Sequence, residues 1–260
     1  MALKKNSVLK RSGVRLGLKV AAVLLAVAAV VALFWGVSRS LFQDNPNLVL
    51  KRIIVRSGGW WRGKSSEVAE IARLNPGTQN IFEVDLSDTR RLVESEPSVR
   101  SARVSRVLPD ILVVDIVARI PRAFVHFQGN GKVLDEDCVV MDGCVDVPST
   151  LPVVTGFRSG KNDLLPGNVV LSARPALDLL KRLSESVPGL EVRRVSLGNP
   201  DYFALRVRYP GMSREFDLYL DRRKLAGKLA KLGDVLKKSA GMRPGAKVVD
   251  MRCDGQAVVR

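Results

Sequence analysis

The chain has 260 residues, with 42 Lys+Arg against 26 Asp+Glu, one His and three Cys, for a formal charge of +16. That length suits one or two compact domains, and its 21 Gly and 13 Pro exclude collagen-like and low-complexity classes. A single His without paired Cys motifs speaks against a metal site or thiol framework. Such basicity points to nucleic acid or an anionic membrane, and where the basic residues sit decides between them.

Residues 1–19 carry Lys4, Lys5, Lys10, Arg11, Arg15 and Lys19 and no acid. Val20 to Val37 then runs without one charge, and at 1.5 Å rise its 18 residues cover about 27 Å, close to a hydrocarbon core of roughly 30 Å. Leu16–Leu18 extend the run with Lys19 snorkelling, and Trp35 stands where an interfacial aromatic sits. A cleaved signal peptide has an apolar stretch of only ~7–15 residues and a small-x-small exit. Here the run leaves through Phe34-Trp35 and Val37-Ser38-Arg39-Ser40. The expectation is an uncleaved single-pass anchor in a bacterial inner membrane, with a basic cytoplasmic tail at 1–15, a transmembrane helix at 16–38 and a linker at 39–47. The remainder then lies in the periplasm. Without the six leading cations its charge is +10, a basic surface suited to anionic headgroups or cell-wall polymers. With no chromosome on that side, no nucleic-acid partner is expected.

Leu48–Arg56 is β-branched and strand-like. Ser65-Ser66-Glu67 opens a helix with Val68, Ile71 and Ala72 on one face, and Asn75-Pro76-Gly77 stops it. Asp85 caps a second helix to about Glu94, with Leu86 and Val93 inward. Val99–Leu108 and Ile111–Ala118, separated by Pro109-Asp110, form a hairpin signature in which Val99, Ala102, Val104 and Val107 are the apolar positions. Strand, helix, helix, strand, strand predicts a two-layer α+β unit. A second unit starts near Pro121. Phe124–Phe127, a Gly129-Asn130-Gly131 turn and Lys132–Leu134 suggest another hairpin, and residues 158–170 read as loop. Ser172 is expected to cap a helix with Pro175 in its first turn and Ala176, Leu180, Leu183 and Val187 as its stripe. Phe203, Leu205, Val207 and Tyr209 alternate with polar residues, as do Phe216, Leu218 and Leu220. A basic helix over about Arg222–Ala240 carries Leu225, Leu229, Leu232 and Leu236 at helical spacing. Lys247–Arg260 makes a final strand or hairpin. The fold class is therefore α+β throughout, the second domain having a largely antiparallel sheet.

Gly58 to Ser65 matches the phosphate-loop pattern G-x-x-x-x-G-K-S between a strand and a helix, with Asp115 after Ile111–Val114 as a companion Mg²⁺ ligand. Trp60 and Trp61 crowd the backbone nest such a loop needs, the following helix is short, and no repeated strand–helix alternation builds a parallel nucleotide-binding sheet. A connecting loop is the better reading, and no cofactor is expected. The Trp pair suits packing onto the neighbouring helix as well as contact with headgroups or a partner. His126, in an apolar strand, reads as structural. Asp135-Glu136-Asp137 reads as a solvated run beside a turn rather than a Ca²⁺ site. Cys138 and Cys144 flank Asp142-Gly143 at a spacing compatible with a hairpin disulfide in an oxidising compartment, though spacing does not give geometry. Cys253 is left over.

These residues resemble the bacterial cell-division family FtsQ/DivIB. Leu48–Arg119 looks like a POTRA domain, through Gly77-x-x-Asn80-Ile81-Phe82 and Pro97-x-Val99-x-x-Ala102-x-Val104-x-Arg106-x-Leu108-Pro109, leading into Leu112-x-Val114-x-Ile116 and Pro121-x-Ala123. Leu134-Asp135 and Leu151-Pro152-x-x-x-Gly156 match the opening of the family's β domain, and Phe216-x-Leu218-x-Leu220 with Val249-Asp250-Met251-Arg252 its close. The resemblance implies a POTRA-like domain at 48–119 and an FtsQ-type β domain at 120–260. It also implies a non-enzymatic scaffold at the division septum that recruits FtsB/FtsL-like proteins and helps control septal peptidoglycan synthesis. Partner capture is expected at an edge strand formed by Val248, Val249, Asp250, Met251, Arg252, Cys253, Ala257, Val258 and Val259, with Arg252 selecting an acidic side chain. The POTRA-like unit is expected to meet other division proteins. Two alternatives remain, a POTRA-bearing envelope export or assembly factor and a phosphate-loop protein. The first would continue into an outer-membrane barrel, and none follows here.

Overall fold

The structure, a computed structural model, describes residues 21, 23–37, 39, 42, 45–125, 131–142, 147–160, 162–253 and 256–260. A first helix, α1, covers residues 23–37 with its side chains exposed. Among the described residues no helix is long and apolar enough to cross a membrane; residues 1–20, 22 and 38 of the expected tail and span lie outside them. By internal contacts the chain divides into two compact units. Residues 1–54, 65–89 and 104–114 make the first, and 55–64, 90–103 and 115–260 the second.

A three-stranded sheet has the order β1 (Arg52–Arg56), β3 (Ile111–Ala118), β2 (Val99–Val107). Two short helices, α2 (Ser65–Ile71) and α3 (Leu86–Glu94), lie between β1 and β2 in sequence. Asp85 caps α3 as its position predicts: Oδ1 accepts from the Ser87 and Asp88 amides at 2.8 and 3.1 Å. Val93 is fully buried, Leu86 only half. In β2, Val99 and Ala102 are buried as expected, but Val107 is 45% exposed, because the strand has run past the core by then.

The second sheet has nine strands in the order β12-β11-β10-β9-β8-β7-β4-β5-β6. These are β4 (Pro121–Val125), β5 (Lys132–Asp135), β6 (Val140–Asp142), β7 (Val153–Thr155), β8 (Glu191–Ser196), β9 (Tyr202–Arg208), β10 (Phe216–Asp221), β11 (Val248–Met251) and β12 (Val258–Val259). Pairing is antiparallel except at β4/β7, β7/β8 and β10/β11. Parallel neighbours need a long crossover. Helix α4 (Arg174–Ser186) supplies one between β7 and β8, and α5 (Leu225–Met242) another between β10 and β11. In β9 and β10 the apolar alternation holds residue by residue, Phe203, Leu205, Val207, Phe216, Leu218 and Leu220 all being buried beneath α4 and α5. The turn between β4 and β5 falls largely on 126–130, outside the described residues.

Two local expectations are corrected. Ser172 does not cap α4: its hydroxyl donates to the Arg158 carbonyl at 2.6 Å. A 3-10 turn, Leu171–Ala173, leads into the helix and leaves Ala173 at the cap. The buried residues of α4 are Ala176, Leu177, Leu179 and Leu183, with Val187 buried just past its end and Leu180 only half-buried. Gly156 earns its place sterically: at φ +73°, an added Cβ would lie 2.5 Å from the Gly198 nitrogen, where no side chain fits.

The acidic run is an ion-pair network rather than a solvated turn. Asp135 is 2% exposed. Its Oδ1 accepts from the Asp137 and Val139 amides at 2.9 and 2.8 Å, and its Oδ2 from Arg119 Nη1 at 2.6 Å. Arg119 also donates Nε to the Val99 carbonyl at 3.2 Å. Arg100 pairs with Glu136 and Asp137, and Arg122 with Glu136. Removing one partner of such a buried pair strands the other charge, so Arg119→Ala should cost about 3 kcal/mol. In urea unfolding, Arg119→Ala with Asp135→Asn should lose clearly less than the sum of the two single losses; strict additivity would show the pair to be uncoupled.

Candidate partner-binding edge

Of the strand or hairpin expected over Lys247–Arg260, the structure has the hairpin. β11 lies parallel to β10, with Leu218 opposite Val249 and Tyr219 opposite Asp250, and antiparallel to β12, with Val249 opposite Val259 and Asp250 opposite Val258. Both rows of β11 backbone groups are thereby used, and the free edge narrows to β12. The sheet's other edge, β6, is covered: the Val140 amide donates to Asn168 and its carbonyl accepts from Gly167, at 2.9 and 2.8 Å.

Register decides which β12 groups face outward. Val248 and Arg260 exchange both backbone bonds, at 3.0 and 2.9 Å. In an antiparallel pair such residues alternate with ones whose N–H and C=O point away, so Val259 presents its backbone to the open side. Its carbonyl is held at 2.8 Å by Arg243 Nη1, just past the end of α5. The Val259 side chain packs on the core, while Val258 is 37% exposed on the opposite face.

The turn between the two strands is clamped from α5. Lys228 is 7% exposed, and its ammonium donates to the carbonyls of Arg252, at 3.4 Å, and Cys253. Residues 254 and 255 lie outside the described residues. Arg252 is fixed by its neighbour two positions back. Its Nε lies 3.0 and 3.1 Å from the two Asp250 carboxylate oxygens, and Nη2 lies 2.6 Å from Oδ2. The guanidinium also lies over Tyr202 and Tyr219, 4.8 and 5.2 Å from their ring centroids. The two rings meet edge to face at 5.7 Å. The Arg252 hydrogen bonds hold the Asp250 carboxyl below its ordinary range, and Asp250 in turn raises Arg252.

Between α5 and the terminal segment lie two cavities, of about 320 and 200 Å³. Lys224, Gly227, Lys231, Val235, Lys238 and Met242 line them from the helix, one stripe at steps of three and four, and Ala257 belongs to both. The stripe has an apolar floor and a rim of lysines, so it suits a segment with apolar and acidic side chains.

All the described members of the expected set therefore meet at one end of the sheet, but Val248, Val249 and Met251 serve as internal pairing and core, and Cys253 is an exposed free thiol. Lys228, Arg243, Tyr202 and Tyr219 were not anticipated. Lys228 had a readable signal, standing three residues after Leu225 on the apolar stripe where a lysine must find oxygen acceptors. Arg243 had none. Elsewhere, the phosphate-loop segment is a 3-10 turn, Gly59–Trp61, whose Trp61 is buried with Nε1 donating to Ser98 Oγ at 3.1 Å. The Lys64 ammonium lies 3.1 Å from the Trp60 ring centroid, and Asp115 faces Arg56 at 4.0 Å. Cys138 is a buried free thiol whose pKa burial raises; Cys144, its expected partner, and His126 lie outside the described residues. Among the described residues no acidic, His or Cys cluster suits a metal.

Residues 62–119 match the POTRA domain, FtsQ-type. The cell division protein FtsQ of Novosphingobium aromaticivorans is 30% identical over 169 residues, covering 59% of this chain and 51% of that protein. That of Corynebacterium glutamicum is 26% identical over 195 residues, covering 73% and 79%. That of Syntrophotalea carbinolica is 44% identical over 62 residues, covering 24% and 22%. The match thus spans about a fifth of the Syntrophotalea protein and half of the Novosphingobium one.

Because the folded pKa of Asp250 is depressed, the stability it contributes is present above the ordinary carboxylate value of about 3.9 and is lost as pH falls through the lower folded value. Arg252→Ala should move the Asp250 titration up towards that ordinary value, read from its carboxyl carbon by NMR; an unmoved midpoint would exclude Arg252 as the cause.

Proposed function

We propose that this chain, similar to the FtsQ/DivIB cell division proteins, is one of them: a non-enzymatic scaffold of the division complex that captures FtsB/FtsL-like partners by strand addition at β12. The outward row of β12, beside a lysine-rimmed apolar groove, carries this reading. An incoming strand gains backbone bonds at the Val259 amide and at Ala257 while alternate side chains meet the α5 stripe on one face and the neighbourhood of Val258 on the other. Arg252, with exposure left on its guanidinium, selects an acidic side chain. The charge-free run Val20–Val37 behind six cations supports a single inner-membrane anchor, its N-terminus cytoplasmic and its body periplasmic at the septum. The body comprises a POTRA-like domain at 48–119, which meets further division proteins, and a β domain at 120–260. Through its partners the scaffold helps control septal peptidoglycan synthesis.

Register makes the test specific. Val258 points its amide at β11, so proline there breaks the internal ladder, whereas Val259→Pro removes only an outward donor. Val259→Pro should weaken capture of the FtsB/FtsL-like proteins about tenfold, or 1.4 kcal/mol, with unfolding unchanged, and Arg252→Glu should weaken it at least as much while also lowering stability through the lost pairing with Asp250. Capture at wild-type strength by both variants would refute strand addition. A reporter fused at the carboxyl end and active only in the cytosol would refute the topology.

A further inference from the structure

The segment after the apolar run is tied down almost at once. The Phe42 carbonyl accepts from Asn80 Nδ2 at 2.7 Å, and its ring meets that of Phe82 edge-on at 5.6 Å. Asn80 is 5% exposed, and its Oδ1 accepts from the Phe82 amide at 2.8 Å, so this loop is stiff where Phe42 lands. Six residues on, the Leu48 carbonyl accepts from the Ile81 amide at 2.8 Å. Arg106 donates Nε to the Ile81 carbonyl at 2.8 Å and lies 5.8 Å from the Phe82 ring. Val107 and Leu108 follow Arg106 directly.

Only five residue steps separate Val37 from Phe42. Fully extended, they reach at most about 17 Å, and the headgroup layer on each side of a bilayer is itself roughly 5–8 Å deep. Phe42, Phe82, Val107 and Leu108 are 50%, 39%, 45% and 58% exposed, all in the first unit. Apolar side chains at such exposure are normal singly but costly when they pair in the open, as Phe42 and Phe82 do. Arg52 is exposed, its amide donating to the Asp110 carbonyl at the turn after Leu108; Lys51 there is paired with Asp110 at 3.2 Å.

We propose that this end of the first unit is a membrane-surface contact, with Phe42, Phe82 and Leu108 seated at the headgroup level of the anionic bilayer that holds the anchor. It rests on the anchor reading above and adds that the domain is docked to the lipid rather than suspended on a free linker. The contact fixes the height and orientation of the first unit over the bilayer.

The test uses the full chain with Cys144→Ser and Cys253→Ser, the buried Cys138 left in place, and Leu108→Cys carrying a bimane label. It is reconstituted in vesicles of phosphatidylethanolamine and phosphatidylglycerol with or without lipids brominated near the headgroup. Bromination should remove most of the fluorescence, and adding Phe82→Asp should restore it. Undiminished fluorescence in vesicles that keep the chain through an alkaline carbonate wash would overturn the docking and leave the anchor standing. Release of the chain by carbonate would overturn both.

Discussion

Every β-strand carries two rows of backbone donors and acceptors, and a sheet that does not close must leave a row at each end. In the nine-stranded sheet one end is masked by the Gly167–Val170 segment and the other is the two-residue β12. That arrangement follows from one topological step. Because α5 carries the chain across the sheet, β11 enters parallel to β10, and only the return through the final turn makes an antiparallel edge. Had β10 and β11 been joined by a tight turn, a different strand and a different register would face outward.

The basic excess acquires a structural meaning from the same constraint. Arg106, Arg119, Arg222, Lys228 and Arg243 each donate to backbone carbonyls at strand ends or turns. Cations are suited to this because they only donate, and a carbonyl at a strand end has lost its ladder partner. Other arginines pair with carboxylates across exposed strands, as Arg206 does with Asp217 and Glu215. These five cations thus finish backbone groups at strand ends and turns, while Lys224, Lys231 and Lys238 line the α5 side of the terminal cavities.

Much of the fold was legible. Residues 203–209 and 216–220 alternate strictly because side chains on a strand point to opposite faces, and the leucines of α5 repeat at helical spacing for the corresponding reason. Asp85 capped where its side chain and position allowed. The failures share a cause. Ser172 has the chemistry of a cap, but its hydroxyl found the Arg158 carbonyl, 14 residues away in sequence. The acids at 135–137 looked solvated because the arginines that neutralise them lie 14 to 37 positions upstream. Of the candidate site, its location at the chain's final strand or hairpin was readable, whereas the register that turns Val259 outward and the clamps from Lys228 and Arg243 were not.

The sequence alone determined periodicity, caps, the charge-free segment and its cationic flank, since these depend on covalent geometry and on neighbours within a turn or two. It also carried the spaced motifs on which the resemblance to the FtsQ/DivIB proteins rests. Only tertiary structure decided that Val248–Met251 is spent on both sides, that Val259 faces out, and that Lys228 and Arg243 clamp the terminal hairpin from a helix formed earlier in the chain. Those outcomes depend on which distant groups compete for each carbonyl and amide, and hydrogen-bond partners brought together by folding leave no pattern along the sequence.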